Sequence, residues 1–178
     1  MRVNKNVNLP DHFKTILVTG GAGFIGGGLI RRLLSETNCL IFNLDKIGYA
    51  SDTSQIENLF KKSPSLAERY SLKKFDLSNE NRLDDLFKEI DPDYIFHLAA
   101  ESHVDRSIKG PKVFLESNII GTFNLLQSAR KHWENMSRER QDFFCFQHIS
   151  TDEVFGSLGD SGTFSESTPY DPRSPYAA

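Results

Sequence analysis

The stretch TILVTGGAGFIGGG, residues 15–28, decides the fold, because an apolar run breaks there into glycines and then resumes. Residues 16–18 are typical of a strand buried on both faces, and residues 29–35 of a helix. The spacing Gly20-x-x-Gly23-x-x-Gly26 predicts a tight turn between them. Without β-carbons, such a turn lets a pyrophosphate approach the amides at the helix N-terminus. The same sequence is equally consistent with a glycine-rich turn that binds no ligand.

The bulk composition limits the protein to a few classes. Its 178 residues, 38% hydrophobic and 25% charged, suffice for one ordinary domain with a sizeable core. The net charge of −3 offers no basic field for a nucleic-acid backbone. Neither a membrane span nor a signal peptide is visible, so we expect a soluble, cytoplasmic protein. Cys39 and Cys145 lack metal-ligand spacing, and we expect no metal site.

A second short apolar run, residues 40–45, ends in Asp45. Asp45 follows Gly26 by 19 positions, close to the roughly 20 expected for the acid that hydrogen-bonds an adenosine ribose. Its negative charge would repel a 2′-phosphate, which favours NAD over NADP. Alone, Asp45 would be interpreted as a turn residue at a strand end. Together with the glycine turn, it makes dinucleotide binding the better interpretation.

The rest of the chain alternates between strand and helix patterns. Further strands are predicted at 71–77, 94–98 and 143–149, and helices at about 53–62, 78–90 with Ser78 as cap, and 111–139. The last helix has six candidate inward residues: Val113, Phe114, Ile120, Phe123, Leu126 and Trp133. This alternation predicts an α/β fold, a doubly wound parallel sheet of the Rossmann type with strand order 3-2-1-4-5.

Ligands on such a sheet bind outside the strand carboxyl ends, at the switch point between strands one and four. Three polar clusters are predicted there: the glycine turn, residues 101–103 and residues 150–153. We divide the chain into a polar leader at 1–14, an NAD-binding Rossmann domain at 15–155, and an active-site loop at 156–178.

Several longer motifs resemble one family, the dTDP-glucose 4,6-dehydratases, which are extended short-chain dehydrogenases/reductases. The matching stretches are ILVTGGAGFIG (16–26), LDK (44–46), HLAAESHVDRSI (97–108), NIIGT (118–122), HISTDEVFG (148–156) and TPYDPRSPYAA (168–178). The glycine turn is common to the whole superfamily, whereas HLAAESHVDRSI and STDEVFG are much narrower. Related epimerases usually carry small or hydroxyl residues where this chain has Asp152 and Glu153.

The resemblance implies NAD as the cofactor and dTDP-glucose as the substrate. It implies that Glu153 takes the C5 proton, Asp152 protonates the departing C6 hydroxyl, Thr151 hydrogen-bonds the C4 oxygen, and Tyr176 removes the C4 hydroxyl proton. Ser102, His103 and Thr151 would contact substrate. The implied cofactor contacts are Gly20, Gly23, Phe24, Ile25, Gly26, Asp45, Lys46, Asp76, Leu77, Leu98, Ala99, Ala100, Ser102, Ser117 and Tyr176.

The family places a lysine four residues after its tyrosine, two positions beyond Ala178. We therefore expect a fragment that stops before the last strands and the substrate domain and is itself nearly inactive. Two other functions remain open: an NAD-dependent nucleotide-sugar epimerase or decarboxylase, and an NAD-binding module without catalysis. The family also suggests a possible homodimer through the helix at 111–139, although its apolar residues could equally belong to the core.

Overall fold

Five parallel strands form one sheet in the computed structural model, which describes residues 12–178. The strands are β1 (Thr15–Thr19), β2 (Leu40–Asp45), β3 (Tyr70–Lys74), β4 (Tyr94–His97) and β5 (Cys145–His148). Their order is β3-β2-β1-β4-β5, and every neighbouring pair is parallel. The predicted Rossmann-type sheet and its strand order are therefore confirmed.

Helices cover both faces of the sheet. They are α1 (Phe24–Glu36), α2 (Ser54–Lys62), α3 (Glu80–Ile90), α4 (Val104–Lys109), α5 (Lys112–Phe114), α6 (Gly121–Glu134) and α7 (Arg138–Phe143). A π-helical segment, Leu115–Ile120, joins α5 to α6, and short 3-10 helices lie at Pro64–Arg69 and Asp152–Phe155. Within residues 12–178, no helix is both long and apolar enough to cross a membrane.

The central strand β1 contributes to two separate cores. Leu17 packs in a cluster that contains residues of α3 and α6, whereas Ile16 and Val18 pack in a cluster with residues of α1 and Ile56 of α2. All three β1 side chains are fully buried. Burial on both faces explains why the strand is a continuous apolar run rather than an alternating one.

Several predicted boundaries were wrong. Asn79, not Ser78, caps α3, because its side chain accepts the Arg82 amide at 3.2 Å. The Ser78 amide instead donates to the Asp76 carboxylate at 2.9 Å, in a turn that follows the end of β3 at Lys74. The helix predicted at 111–139 breaks after Glu134, and α7 occupies residues that include the predicted start of β5.

The inward face predicted for the helix at 111–139 was also wrong. Of the six candidate inward residues, only Phe114 is buried, and the others are exposed: Val113, Ile120, Phe123, Leu126 and Trp133. The buried side of α6 consists of one large apolar residue, Leu125, and of small and polar residues, namely Gly121, Asn124, Ser128 and Ala129. These polar groups are satisfied inside the fold. The Asn124 amide donates to the Leu77 carbonyl at 3.1 Å, and the Ser128 hydroxyl donates to Asp84 at 2.6 Å, which lowers the pKa of that carboxyl.

Candidate active site

At two positions of the glycine turn after β1, an added side chain would collide with backbone atoms. Gly20 has a φ of +71°, and a β-carbon there would lie 2.7 Å from the Cα atom of Ala99. A β-carbon at Gly26 would collide with the Gly20 carbonyl oxygen, because the first turn of α1 packs directly on the loop. Close backbone contact therefore requires these glycines.

The N-terminus of α1 presents amides that no side chain caps. Within the described part of the chain, the amides of Phe24, Ile25 and Gly26 have no acceptor. The Phe24 side chain is 97% exposed, so it leaves the turn open to solvent. Unpaired amides and the helix dipole favour an anion at this place, which fits a pyrophosphate.

Asp45, at the carboxyl end of β2, is 8% exposed and accepts three hydrogen bonds from the protein. One oxygen accepts the Ala22 amide at 3.0 Å. The other accepts the Ile47 amide at 2.8 Å and the Ser51 hydroxyl at 3.1 Å. Asp45 thus organises the turn as well as facing the cleft. A carboxylate has roughly four acceptor positions, so one remains for a ligand hydroxyl.

Lys46 and Glu101 form an ion pair across the carboxyl end of β1. The Lys46 Nζ atom lies 2.7 Å from the Glu101 Oε1 atom, with side chains 35% and 10% exposed. The side chain of Asn118 fixes the backbone of Glu101, because it accepts the Glu101 amide at 2.8 Å and donates to the Glu101 carbonyl at 2.9 Å. Neither contact was predicted, since the chain spacing of these residues carries no local pattern.

A series of hydrogen-bonded side chains beneath the loop after β4 holds that loop against β1. The Thr19 hydroxyl accepts the Ala99 amide at 3.2 Å and lies 2.6 Å from Nδ1 of His97, whose Nε2 lies 2.8 Å from the Thr122 hydroxyl. Burial, with a smaller contribution from His148, lowers the pKa of His97 to about 4. His97 is therefore neutral at physiological pH and links β1, β4 and α6.

The loop after β3 and the π-helical segment close the other sides of the cleft. Asp76 and Leu77 line it, and the Asn124 bond to the Leu77 carbonyl anchors this loop on α6. Gly121 allows the approach, since a β-carbon there would lie 3.0 Å from that of Leu77. Ser117 lines the cleft from the π-helical segment, a type of helix that often occurs at functional sites.

The loop just after β5 carries Thr151, Asp152 and Glu153. These three residues lie next to the cleft but do not line it. Thr151 caps the 3-10 helix Asp152–Phe155, because its hydroxyl accepts the Glu153 amide at 3.2 Å. The Asp152 and Glu153 side chains are exposed to solvent. His103 is likewise exposed, at the start of α4, and does not line the cleft.

Tyr176 is brought to the cleft by a contact that sequence reasoning missed. Its backbone amide donates to the Ser107 hydroxyl at 3.2 Å. Ser107 is fully buried on α4, and its hydroxyl donates to the Val104 carbonyl at 2.6 Å. The side chain of Tyr176 is partly exposed and lines the cleft. Helix α4 itself was not predicted, because its six residues are too short to show a helical period.

A single cleft of about 470 Å³ collects these elements at the carboxyl ends of the strands. Every residue implied as a cofactor contact lines it, from the glycine turn to Tyr176. Of the residues implied as substrate or catalytic groups, Ser102 and Tyr176 line the cleft, whereas His103, Thr151, Asp152 and Glu153 do not. Glu101 lines it as part of the predicted cluster 101–103, and Tyr49 lines it without having been predicted. The geometry places the residues, and their individual roles stay predictions.

Comparisons with known proteins agree with this architecture. The family model described as GDP-mannose 4,6 dehydratase matches residues 17–178. A probable dTDP-glucose 4,6-dehydratase of Sinorhizobium fredii is 47% identical over 163 residues, which are 92% of this chain and 45% of that relative. The chain thus spans about half the length of the curated relatives it matches.

Solved structures of other proteins also match this chain over most of its length. The dTDP-glucose 4,6-dehydratase of Streptomyces venezuelae, solved with NAD and TYD bound, is 38% identical with a TM-score of 0.75, and the match covers 92% of this chain and 47% of that one. The UDP-Glc/GlcNAc 4-epimerase of Campylobacter jejuni has the same TM-score of 0.75 at 27% identity, with 92% and 45% covered.

Proposed function

The chain belongs to the GDP-mannose 4,6 dehydratase family, and we propose that it binds NAD and provides the NAD-binding part of a dTDP-glucose 4,6-dehydratase. The observation that carries the proposal is the single cleft that joins the glycine turn, Asp45 and Tyr176. In the division we propose, residues 15–155 are the NAD-binding domain and residues 156–178 are an active-site loop.

The cleft offers a suitable group for each part of a dinucleotide. The uncapped amides of α1 would bind the pyrophosphate, and the remaining acceptor position of Asp45 would bind a ribose hydroxyl. Asp76 and Leu77 would meet the adenine edge. Ser117 and Tyr176 line the part of the cleft that remains for the other half of the cofactor.

The proposed reaction converts dTDP-glucose to dTDP-4-keto-6-deoxyglucose. NAD, when bound, would supply a hydride acceptor for C4 and later a hydride donor for C6. Oxidation at C4 makes the C5 proton acidic enough to remove. Elimination then needs one carboxylate as base and one carboxylic acid as proton donor, which we assign to Glu153 and Asp152. Thr151 would hydrogen-bond the C4 oxygen, and Ser102 and His103 would contact the sugar nucleotide.

Calorimetric titration of the chain with NAD and with dTDP tests the proposal. We expect saturable NAD binding, and equal NAD affinity in Asp152→Asn and Glu153→Gln variants, because neither side chain lines the cleft. NAD binding without any interaction with dTDP would support a binding module without catalysis. If NAD does not bind at all, the proposed cofactor site is wrong.

Substitution of Asp152 and Glu153 distinguishes a dehydratase from an epimerase of the same fold. In an assay with dTDP-glucose and NAD, run on an extended chain that carries the lysine four residues after Tyr176, the Asp152→Asn and Glu153→Gln changes should lower water elimination by roughly 10²- to 10⁴-fold, the usual contribution of general acid–base groups. Reduction of the cofactor should persist, because hydride transfer from C4 does not use either carboxyl group. An epimerase activity would be affected little by these changes.

We also propose that the outward side of α6 and of the π-helical segment before it binds a second copy of the chain. This side carries a row of exposed apolar residues: Leu115, Ile119, Ile120, Phe123 and Leu126. Contiguous exposed apolar surface of this kind marks protein interfaces. Phe123→Glu should convert a dimer to a monomer in sedimentation velocity. Tyr170→Glu, which changes a still more exposed ring in the loop at 156–178, is the control and should leave the oligomer intact.

A further inference from the structure

Glu101 is a buried carboxylate in the cleft lining that the proposed chemistry does not use. It follows β4, whereas its partner Lys46 follows β2, so their ion pair spans the carboxyl end of β1, which lies between those two strands. The pair lies where a bound dinucleotide would pass from one half of the cleft to the other.

The backbone that carries Glu101 is held more firmly than the lysine. Two hydrogen bonds to the Asn118 side chain fix the Glu101 amide and carbonyl. Lys46 reaches the carboxylate over a flexible four-carbon stem and is 35% exposed. The position of Glu101 therefore determines where the ammonium group lies.

Lys46 directly follows Asp45, the acidic residue at the end of β2. In dinucleotide folds, a carboxylate at this place hydrogen-bonds the ribose 2′-hydroxyl of NAD, and a nearby cation accommodates the 2′-phosphate of NADP. This chain carries both kinds of group side by side. A free Lys46 ammonium would offset the repulsion between Asp45 and a 2′-phosphate.

We propose that Glu101 is a specificity-determining residue that favours NAD over NADP, an inference that rests on the proposed NAD site. Glu101 acts by neutralising Lys46 and holding its Nζ atom at 2.7 Å, on the β4 side of the cleft. Asp45 then remains the uncompensated charge at the ribose. The Asp45 carboxylate itself is bound to the Ala22 and Ile47 amides and Ser51, so it does not compete for Lys46.

The test is a comparison of NAD and NADP affinities by calorimetric titration of the 178-residue chain and a Glu101→Gln variant. Glutamine keeps the volume of the side chain and leaves the Asn118 bonds to the backbone intact. We expect the ratio of NADP to NAD affinity to rise about tenfold, which corresponds to about 1.4 kcal/mol. The gain should shrink as salt is added, because Lys46 is partly exposed.

Two further variants test whether the change in the ratio of NADP to NAD affinity depends on Lys46. Glu134→Gln removes the same charge from an exposed ion pair with Arg130 and should leave the ratio unchanged. Lys46→Met added to Glu101→Gln should abolish the gain, whereas a gain that persists would come from the Glu101 charge alone and would overturn the proposal. An unchanged ratio in Glu101→Gln would overturn it too. If the unmodified chain binds neither nucleotide, the NAD site itself is wrong and the inference falls with it.

Discussion

Two glycines of the opening stretch should respond in opposite directions to the same substitution. Gly20 has a φ of +71°, and an added β-carbon would lie 2.7 Å from the Cα and N atoms of Ala99. The Ala99 backbone cannot easily withdraw, because its amide is bonded to the Thr19 hydroxyl. Gly28 lies inside α1, and an added β-carbon there would meet nothing within 4 Å.

The magnitudes follow from these two environments. A non-glycine residue in the left-handed region costs about 1–2 kcal/mol, and forcing an extra carbon into a packed site costs about 1–3 kcal/mol more. Gly20→Ala should therefore lower the free energy of unfolding by about 2–5 kcal/mol. Gly28→Ala removes backbone freedom from the unfolded chain and should raise it by about 0.5–1 kcal/mol.

Thermal unfolding followed by circular dichroism measures both changes. In a chain of this size, 1 kcal/mol shifts the midpoint by roughly 2–4 °C. Gly20→Ala should lower Tm by roughly 4–20 °C, and Gly28→Ala should raise it by roughly 1–4 °C. If Gly20→Ala unfolds within a degree of the unmodified chain, the close contact with Ala99 does not exist and the geometry of the turn is wrong.

Two other perturbations test the supports of the cleft. The pKa of His97 is about 4 in the fold against about 6.5 when unfolded, so its stabilisation is complete above pH 6.5 and is lost as the pH falls toward 4. Urea titrations should show a loss of about 2 kcal/mol between pH 7 and pH 5, and His97→Gln should remove most of this slope. Asn124→Ala leaves the buried Leu77 carbonyl without its donor and should cost about 1–3 kcal/mol, measured in the same titration at pH 7. An exposed control, Asn135→Ala, should cost much less.

The sheet and its cofactor edge could be predicted because their patterns are local. β1 is a short apolar run buried on both faces, and the glycines that follow it need their spacing to make the turn. Asp45 could be placed because its distance from Gly26 is set by one helix and one connection. Each of these features is determined by residues that are neighbours in the chain.

The hydrogen bonds and the ion pair that hold the site together could not be predicted, because they join residues that are distant in the chain. Asn118 and Glu101 are 17 positions apart, and Tyr176 and Ser107 are 69 apart. Neither pair has a sequence pattern that differs from ordinary polar loop residues. Lys46 was implied as a cofactor contact from the family motif, but its pairing with Glu101 depends on β1 lying between β2 and β4.

Helix α6 shows why hydrophobicity alone misassigned a face. Its inward side holds Leu125 in the core, Asn124 and Ser128, which are satisfied by the Leu77 carbonyl and by Asp84, and small residues that let α3 and the β3 loop approach. Its outward side holds Phe123 and Leu126, both about half exposed. A helix can turn some of its larger apolar residues outward when polar groups on the other side are fully bonded within the fold. The exposed side is then available for burial against another surface, and the proposed second copy of the chain would supply that surface.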